Sequence, residues 1–279
     1  MKIITTAVDM SAFSTQNRSN NQSIAFVPTM GALHKGHISL IQQAQRNSDV
    51  VVVSVFVNPT QFNNSSDLEK YPRTFDQDKG LLSMENVDAM FYPTVSEVYP
   101  TDEAASYELD GLDEFMEGPN RPGHFDGVVQ VVSRLFDMVQ PDSAFFGEKD
   151  FQQLAILKHM SSKLGYAIKV VGCPTIREQS GLAMSSRNQR LSESGKTVAS
   201  SIFQVLSGIK NQIAEGAPIQ QAKKEAVSKL NNTTGLELEY LEIVNPHNLR
   251  PTTERSATVQ ACIAAWVDGV RLIDNMRVK

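Results

Sequence analysis

Residues Val50 to Val57 read Val-Val-Val-Val-Ser-Val-Phe-Val and stop at Asn58-Pro59. β-Branched residues favour extended backbone, and a strand with almost no polar alternation needs cover on both faces. A parallel sheet between helical layers gives that cover. Ile24 to Val27, closed by Pro28, is a second such run. Between the two, Ile38, Leu40, Ile41 and Ala44 recur at helical spacing. Strand, helix and strand in this order make a βαβ unit, whose crossover is right-handed.

The alternation continues. Thr74 to Glu85 reads as a helix and Asp88 to Tyr92 as a strand. Val128 to Val139 reads as a helix, Ala144 to Phe146 as a strand, Phe151 to Lys163 as a helix and Ile168 to Val171 as a strand. After Gly172-Cys-Pro174 the character changes. Ser192 to Glu215 and Ile219 to Leu230 read as helices, and Leu236 to Val244, Thr258 to Trp266 and Val270 to Ile273 as strands. Asp268-Gly269 marks a hairpin between the last two. The expected fold is α/β: a Rossmann-like, doubly wound parallel sheet over residues 1–175, then a smaller α+β C-terminal domain over 176–279.

With 279 residues the chain has material for two domains at roughly 150 residues each. No segment reaches the ~18 consecutive apolar residues of a spanning helix. The start, Met-Lys-Ile-Ile-Thr-Thr, is not followed by the apolar run of a secretory signal. Cys173 and Cys262 are the only cysteines, far apart in sequence, and no disulfide framework is expected. Both sit in or beside apolar strands and read as buried thiols. A cytoplasmic location follows as the expectation. Net charge is −5, which argues against an extended nucleic-acid surface and leaves room for a small basic pocket.

Ligands of such sheets sit beyond the carboxyl ends of the strands. At one such end lies Pro28-Thr-Met-Gly-Ala-Leu-His34-Lys-Gly-His37, a glycine-containing turn feeding a helix. Helix N-termini present unpaired N–H groups and a positive dipole end to anions. His34 and His37, three apart, can lie on one side of that helix. A single histidine here would be read as surface; the pair after a strand favours a site. A metal reading is weak, since no third ligand is suggested and ligand pairs on a helix more usually sit four apart. Gly147-Glu-Lys-Asp150 lies at another strand end and by itself would be a solvated turn. His159 and His247 read as structural or surface residues.

This block resembles the His-x-Gly-His signature of the nucleotidylyltransferase superfamily. Downstream, Phe56-Val-Asn-Pro-Thr-Gln-Phe62, Tyr71-Pro-Arg-Thr74, Arg121-Pro-Gly-His-Phe125, Phe146-Gly-Glu-Lys-Asp-Phe-Gln-Gln153 and Met184-Ser-Ser-Arg-Asn188 follow in order. Together they resemble the pantothenate synthetase (pantoate–β-alanine ligase) family over roughly residues 24–190.

The resemblance implies ATP-dependent activation of pantoate as pantoyl adenylate, release of pyrophosphate, then attack by the β-alanine amine with loss of AMP. It implies catalytic roles for His34, His37, Lys149 and Arg187, with His37 as proton donor. ATP would be held by Met30, Gly31, Ala32, Leu33, His34, Lys35, Gly36 and His37. Gly147, Glu148, Lys149, Asp150, Ile176, Met184, Ser185, Ser186 and Arg187 complete that set. Asp150 is assigned to the ribose hydroxyls, and Gly147 and Ile176 to backbone contacts with the nucleoside. Gln61 and Gln153, with Met30 nearby, would hold pantoate, since a neutral amide both donates and accepts. Gln153 is preferred to its neighbour Gln152 only on the family pattern. Arg121 and His124 are expected to support the acyl end or the amine.

ATP implies Mg²⁺ carried on its phosphates, with no protein ligands assigned despite Asp76 and Asp78. No tightly bound organic cofactor, no nucleic acid and no membrane partner is expected, and a homodimer is implied. Residues 62–72 would form a flap that keeps water from the adenylate. The C-terminal domain would close over the ATP site. The nearest alternative is another His-x-Gly-His adenylyltransferase acting on a phosphate acceptor. A further one is a nucleotide-sensing or RNA-binding module without chemistry.

Overall fold

The computed structural model describes residues 1–62, 68–101, 106–254 and 258–279. The centre of the expected flap, residues 63–67, lies outside them. The described chain divides into two compact units.

The first unit is built on a six-stranded sheet ordered β1-β4-β3-β2-β5-β6, parallel at every pairing. Its strands are β1 (Lys2–Ile4), β2 (Ile24–Thr29), β3 (Val50–Val55), β4 (Ala89–Phe91), β5 (Ser143–Gly147) and β6 (Lys169–Cys173). The valine run is central strand β3, buried at every position, as its lack of alternation demands. It pairs residue for residue with β2 from Ile24↔Val50 to Thr29↔Val55. Helices α1 (Ala7–Ser19), α2 (Lys35–Gln45), α3 (Phe75–Met84), α4 (Val95–Val98), α6 (His124–Val139) and α7 (Phe151–Lys163) accompany it. Leu40, Ile41 and Ala44 of α2 pack with Ala25, Val27, Val51 and Val53 in one apolar cluster.

Pro28 sits inside β2 without disrupting it. The carbonyl of Thr29 faces β3, accepting from the Phe56 N–H, whereas that of Ile24 faces the β5 side, accepting from the Asp142 N–H. Alternation along the strand therefore turns Pro28 toward β5. Pairing with β5 has already ended at Phe26↔Ala144, so the missing N–H breaks no ladder bond. The parting of β2 from β5 is also where strand order reverses: β3 and β4 lie to one side of β2, β5 and β6 to the other. Such a switch point opens a crevice beyond the strand ends.

The second unit comprises Thr175–Lys279 together with Asp110–Asn120 and Lys149–Gln152. Its antiparallel sheet is β7 (Leu236–Val244), β8 (Gln260–Val267) and β9 (Val270–Arg277), with α8 (Glu193–Ala214) and α9 (Ile219–Asn231). Ile202, Leu206 and Ile209 of α8 join Leu230, Leu241, Ile263 and Leu272 in its core. Asp268 and Gly269 both take positive φ, 52° and 70°, which is what the tight turn between β8 and β9 requires.

The two earlier segments are tied in by side chains. Gln152, 5% exposed, donates to the carbonyls of Leu112 and Phe115 and accepts from the Glu117 N–H. Glu117 at the start of α5 (Glu117–Asn120) meets Arg271 through two hydrogen bonds of 2.8 and 2.9 Å and accepts from the Tyr240 hydroxyl at 2.7 Å. Arg271 also pairs with Glu239. The guanidinium is desolvated, but two carboxylates against it hold its pKa above the usual arginine range. β9 runs on beyond the expected end at Ile273, through the buried pair Asp274 and Asn275.

Candidate active site

In the first unit the turn after β2 is held from α3. Asp78, 1% exposed, accepts from the N–H groups of Ala32 and Leu33 at 3.0 and 2.8 Å and from the Thr74 hydroxyl at 3.1 Å. Gly31 takes φ +81°, and a Cβ there would lie 3.0 Å from Asp78 Oδ2 and from Val55. Ala32 takes φ +49°, a left-handed conformation that costs a non-glycine residue about 1 kcal/mol or more. Two charge-assisted bonds to Asp78 hold it there. Asp78 is thus occupied with backbone N–H groups and the Thr74 hydroxyl.

The turn delivers His34 to the N-cap of α2. Its Nδ1 accepts from the Gly36 N–H at 3.1 Å, and His37 Nδ1 accepts from the His34 N–H at 3.3 Å. The rings lie 4.1 Å apart, centroid to centroid. Backbone N–H can only donate, so each Nδ1 is an unprotonated acceptor. Each neutral imidazole therefore carries its proton on Nε2. The capping geometry fixes two Nε2–H donors at a helix N-terminus, a preorganised environment for an anion.

Met30 and Gln61 come together: Gln61 Nε2 lies 3.2 Å from Met30 Sδ. Gln61 ends a 3₁₀ turn (Pro59–Gln61) capped by Asn58. Asn58 is buried; its Oδ1 accepts from the Thr60 N–H and the Tyr99 hydroxyl, and its Nδ2 donates to Gln61 Oε1 and the Gly127 carbonyl. Arg121 NH2 donates to the Gln61 carbonyl at 3.3 Å, and Arg121 NH1 lies 3.0 Å from His124 Nε2. Arginine only donates, so His124 Nε2 accepts and Nδ1–H donates to the Gln61 carbonyl at 2.9 Å. Buried His124 and half-buried Arg121 thus grip the backbone of Gln61. Gly127 lets α6 pass against the 3₁₀ turn, since a Cβ there would lie 2.6 Å from the Thr60 carbonyl oxygen.

In the second unit, Lys149 Nζ lies 3.9 Å from Asp150 Oδ1, both side chains part-exposed. The Asn275 side chain donates to the Lys149 carbonyl at 2.8 Å. Ser185 caps the 3₁₀ turn Ser186–Arg190, its hydroxyl accepting from the Arg187 N–H at 3.2 Å. Ser186 is buried, and Asn188 ties the turn to Glu178 and the Ala183 carbonyl. The Ile176 carbonyl accepts from the Met184 N–H. Gln152 is consumed by the three bonds described above, whereas Gln153 is half-buried with no such role. Among the described residues no group of three His, Cys, Asp or Glu is placed to hold a metal.

The model of the pantoate-beta-alanine ligase family matches residues 2–277. The chain belongs to that family. It is 46% identical to pantothenate synthetase of Cytophaga hutchinsonii over 276 residues, 98% of each chain. It is also 46% identical to that of Bacteroides thetaiotaomicron over 281 residues, 100% of this chain and 99% of the relative. A crystal structure of pantothenate synthetase from Thermus thermophilus superposes with TM-score 0.94 at 39% identity, covering 100% and 99% of the two chains. Pantoate-beta-alanine ligase from Francisella tularensis, solved with β,γ-ATP and β-alanine, gives TM-score 0.81 at 34% identity over 100% and 98%.

Motif reading names the two histidines, Gln61, Gln153, Lys149 and the Ser185–Arg187 turn. It misses Asp78 and Asn58, which hold the turns of this family's motifs from behind. Asn58 carries a signal: an Asn-Pro closing an apolar strand is a capping sequence. Asp78 carries none, because it lies 45 residues from the backbone it binds.

Both cysteines are buried. Burial, with Glu148 nearby, pushes the Cys173 thiol up to about 11, and burial also raises Cys262. Neither is poised as a nucleophile.

Proposed function

We infer that this chain catalyses the ATP-dependent condensation of (R)-pantoate with β-alanine to give pantothenate, AMP and pyrophosphate through pantoyl adenylate. A family match spanning 2–277 carries the reading. A carboxylate resists attack by an amine, and adenylation gives its carbon a leaving group. The Nε2–H groups of His34 and His37 suit charge developing on the α-phosphate; one such donor is worth ~10²–10³ in rate. We assign Lys149, Arg187, Ser185 and Ser186 to the β and γ phosphates, Asp150 to the ribose, and Gly147, Ile176 and the 30–37 turn to the nucleotide backbone contacts. Gln61 and Gln153, with Met30, hold pantoate. Arginine binds phosphate in two-pronged fashion and lysine as a point charge.

Mg²⁺ carried on the ATP phosphates would neutralise charge there, beside Lys149 and Arg187. Asp78 accepts from the Ala32 and Leu33 N–H groups, and a phosphate-borne Mg²⁺ needs few protein ligands. The working form is a cytoplasmic homodimer, with no nucleic-acid partner. No helix among the described residues is long and apolar enough to cross a membrane.

ATP–pyrophosphate exchange tests the reading. Exchange that requires pantoate, followed by AMP release on adding β-alanine, is expected; exchange indifferent to pantoate overturns it. His37→Ala should slow single-turnover adenylation ~10²-fold or more while the protein stays folded.

A further inference from the structure

β9 places two polar side chains next to each other in the interior of the second unit: Asp274 is 5% exposed and Asn275 7%. Neither belongs to a motif named above. Buried polar groups are costly unless satisfied, so the destinations of their bonds matter. Asn275 Nδ2 donates to the Lys149 carbonyl at 2.8 Å, and its Oδ1 accepts from Gln260 Nε2 on β8 at 2.6 Å. Gln260 is itself buried. Asp274 receives Arg177 in a two-pronged pair of 2.6 and 2.9 Å. Its Oδ1 also accepts from the Asn275 N–H at 2.7 Å. Arg177 donates to the Gly181 carbonyl at 3.0 Å and lies 4.7 Å over the Phe203 ring. It pairs with Ala183 in an antiparallel bridge, immediately before Met184-Ser-Ser-Arg187.

Two adjacent residues of one strand thus hold two segments remote in sequence. One is the Lys149 turn, the other the hairpin that leads into Ser185–Arg187. Both carry groups assigned above to phosphate. A packed sheet strand is a stiffer mount than either loop. We infer that Asn275 is a positioning residue for ATP: it sets where Lys149 stands by holding its carbonyl, and Asp274 does the same for the Ser185–Arg187 turn through Arg177. The inference rests on Lys149 being a phosphate ligand. Misplacing a binding group by about 1 Å costs on the order of 10² in rate.

The test is a double-mutant cycle on ATP–pyrophosphate exchange. Asn275→Ser is too short to reach the Lys149 carbonyl. Expected are a loss of roughly 10–100-fold in kcat/KM for ATP with the pantoate KM unchanged, and less than ~2-fold further loss when N275S is added to Lys149→Ala. If N275S alone has wild-type ATP kinetics, or if its loss is repeated in full on the K149A background, the inference is overturned while the ligand role of Lys149 stands. If K149A itself leaves exchange unchanged, the ligand role falls and the inference with it. Should N275S melt far below wild type, Asn275→Leu with Gln260→Met carries the same cycle. Replacing both partners by apolar groups of similar shape can be nearly neutral for folding, and it still releases Lys149.

Discussion

Replacing Asp78 by Asn isolates what holds the turn before α2. The carboxylate accepts two backbone N–H groups and the Thr74 hydroxyl from a site 1% exposed. An amide of the same shape offers one acceptor oxygen, and its NH₂ must then face an N–H donor. One charge-assisted bond worth about 1.5–3 kcal/mol is lost, and one buried N–H is left unsatisfied. The expected loss is about 3 kcal/mol of unfolding free energy, measured by urea denaturation at pH 7. Ala32, held at φ +49° by the same carboxylate, relaxes toward ordinary backbone and shifts the His34 cap with it. Pyrophosphate release in a single turnover should slow on the order of 10²-fold, with the pantoate KM little changed. Wild-type single-turnover rates in a D78N protein destabilised as expected would refute the claim that this carboxylate sets the histidines.

Gly127→Ala pushes a methyl to 2.6 Å from the Thr60 carbonyl and displaces the turn that ends in Gln61; steady-state kinetics should show a raised pantoate KM, with the ATP KM unchanged. Arg271→Met strands Glu117 and Glu239 without their cation and should lower unfolding free energy by about 3–5 kcal/mol in urea titrations; a loss under about 1 kcal/mol would contradict it. The Cys173 thiol, raised from 9.0 to about 11, holds its proton more tightly folded than unfolded. Its contribution is therefore complete below pH 9 and disappears as pH rises toward 11. Wild type should lose on the order of 2 kcal/mol more than Cys173→Ala across that window, followed by urea midpoints.

The strand–helix alternation is legible because a buried parallel strand and an amphipathic helix write different apolar periods. Elements without such a period are not. α1 buries only Met10 and Ser14, too thin a stripe to declare a helix, and β1 is three residues at the sheet edge. Asp274 and Asn275 look like a strand end in the sequence, which puts the end of β9 at Ile273, yet both are buried and paired. The site divides the same way. Residues at strand ends and in local motifs can be named from sequence, whereas Asp78 and Asn275 act on backbone 45 and 126 residues away. No local pattern encodes a partner at that distance. The choice between Gln152 and Gln153 likewise needs the carbonyls of Leu112 and Phe115.

The pairing that makes β3 a buried strand leaves it bare until that pairing forms. β3 meets β2 through Ile24↔Val50 and β4 through Val52↔Ala89, 26 and 37 positions apart, and both loops must close before its edges are covered. Until β2 and β4 dock on its two edges, Val50–Val55 is a bare, uncharged, β-prone hexapeptide. Such segments associate with their copies in other chains. Dilute, rapid refolding should therefore recover more native protein than concentrated refolding, and a charge placed in the valine run would trade aggregation for a broken core.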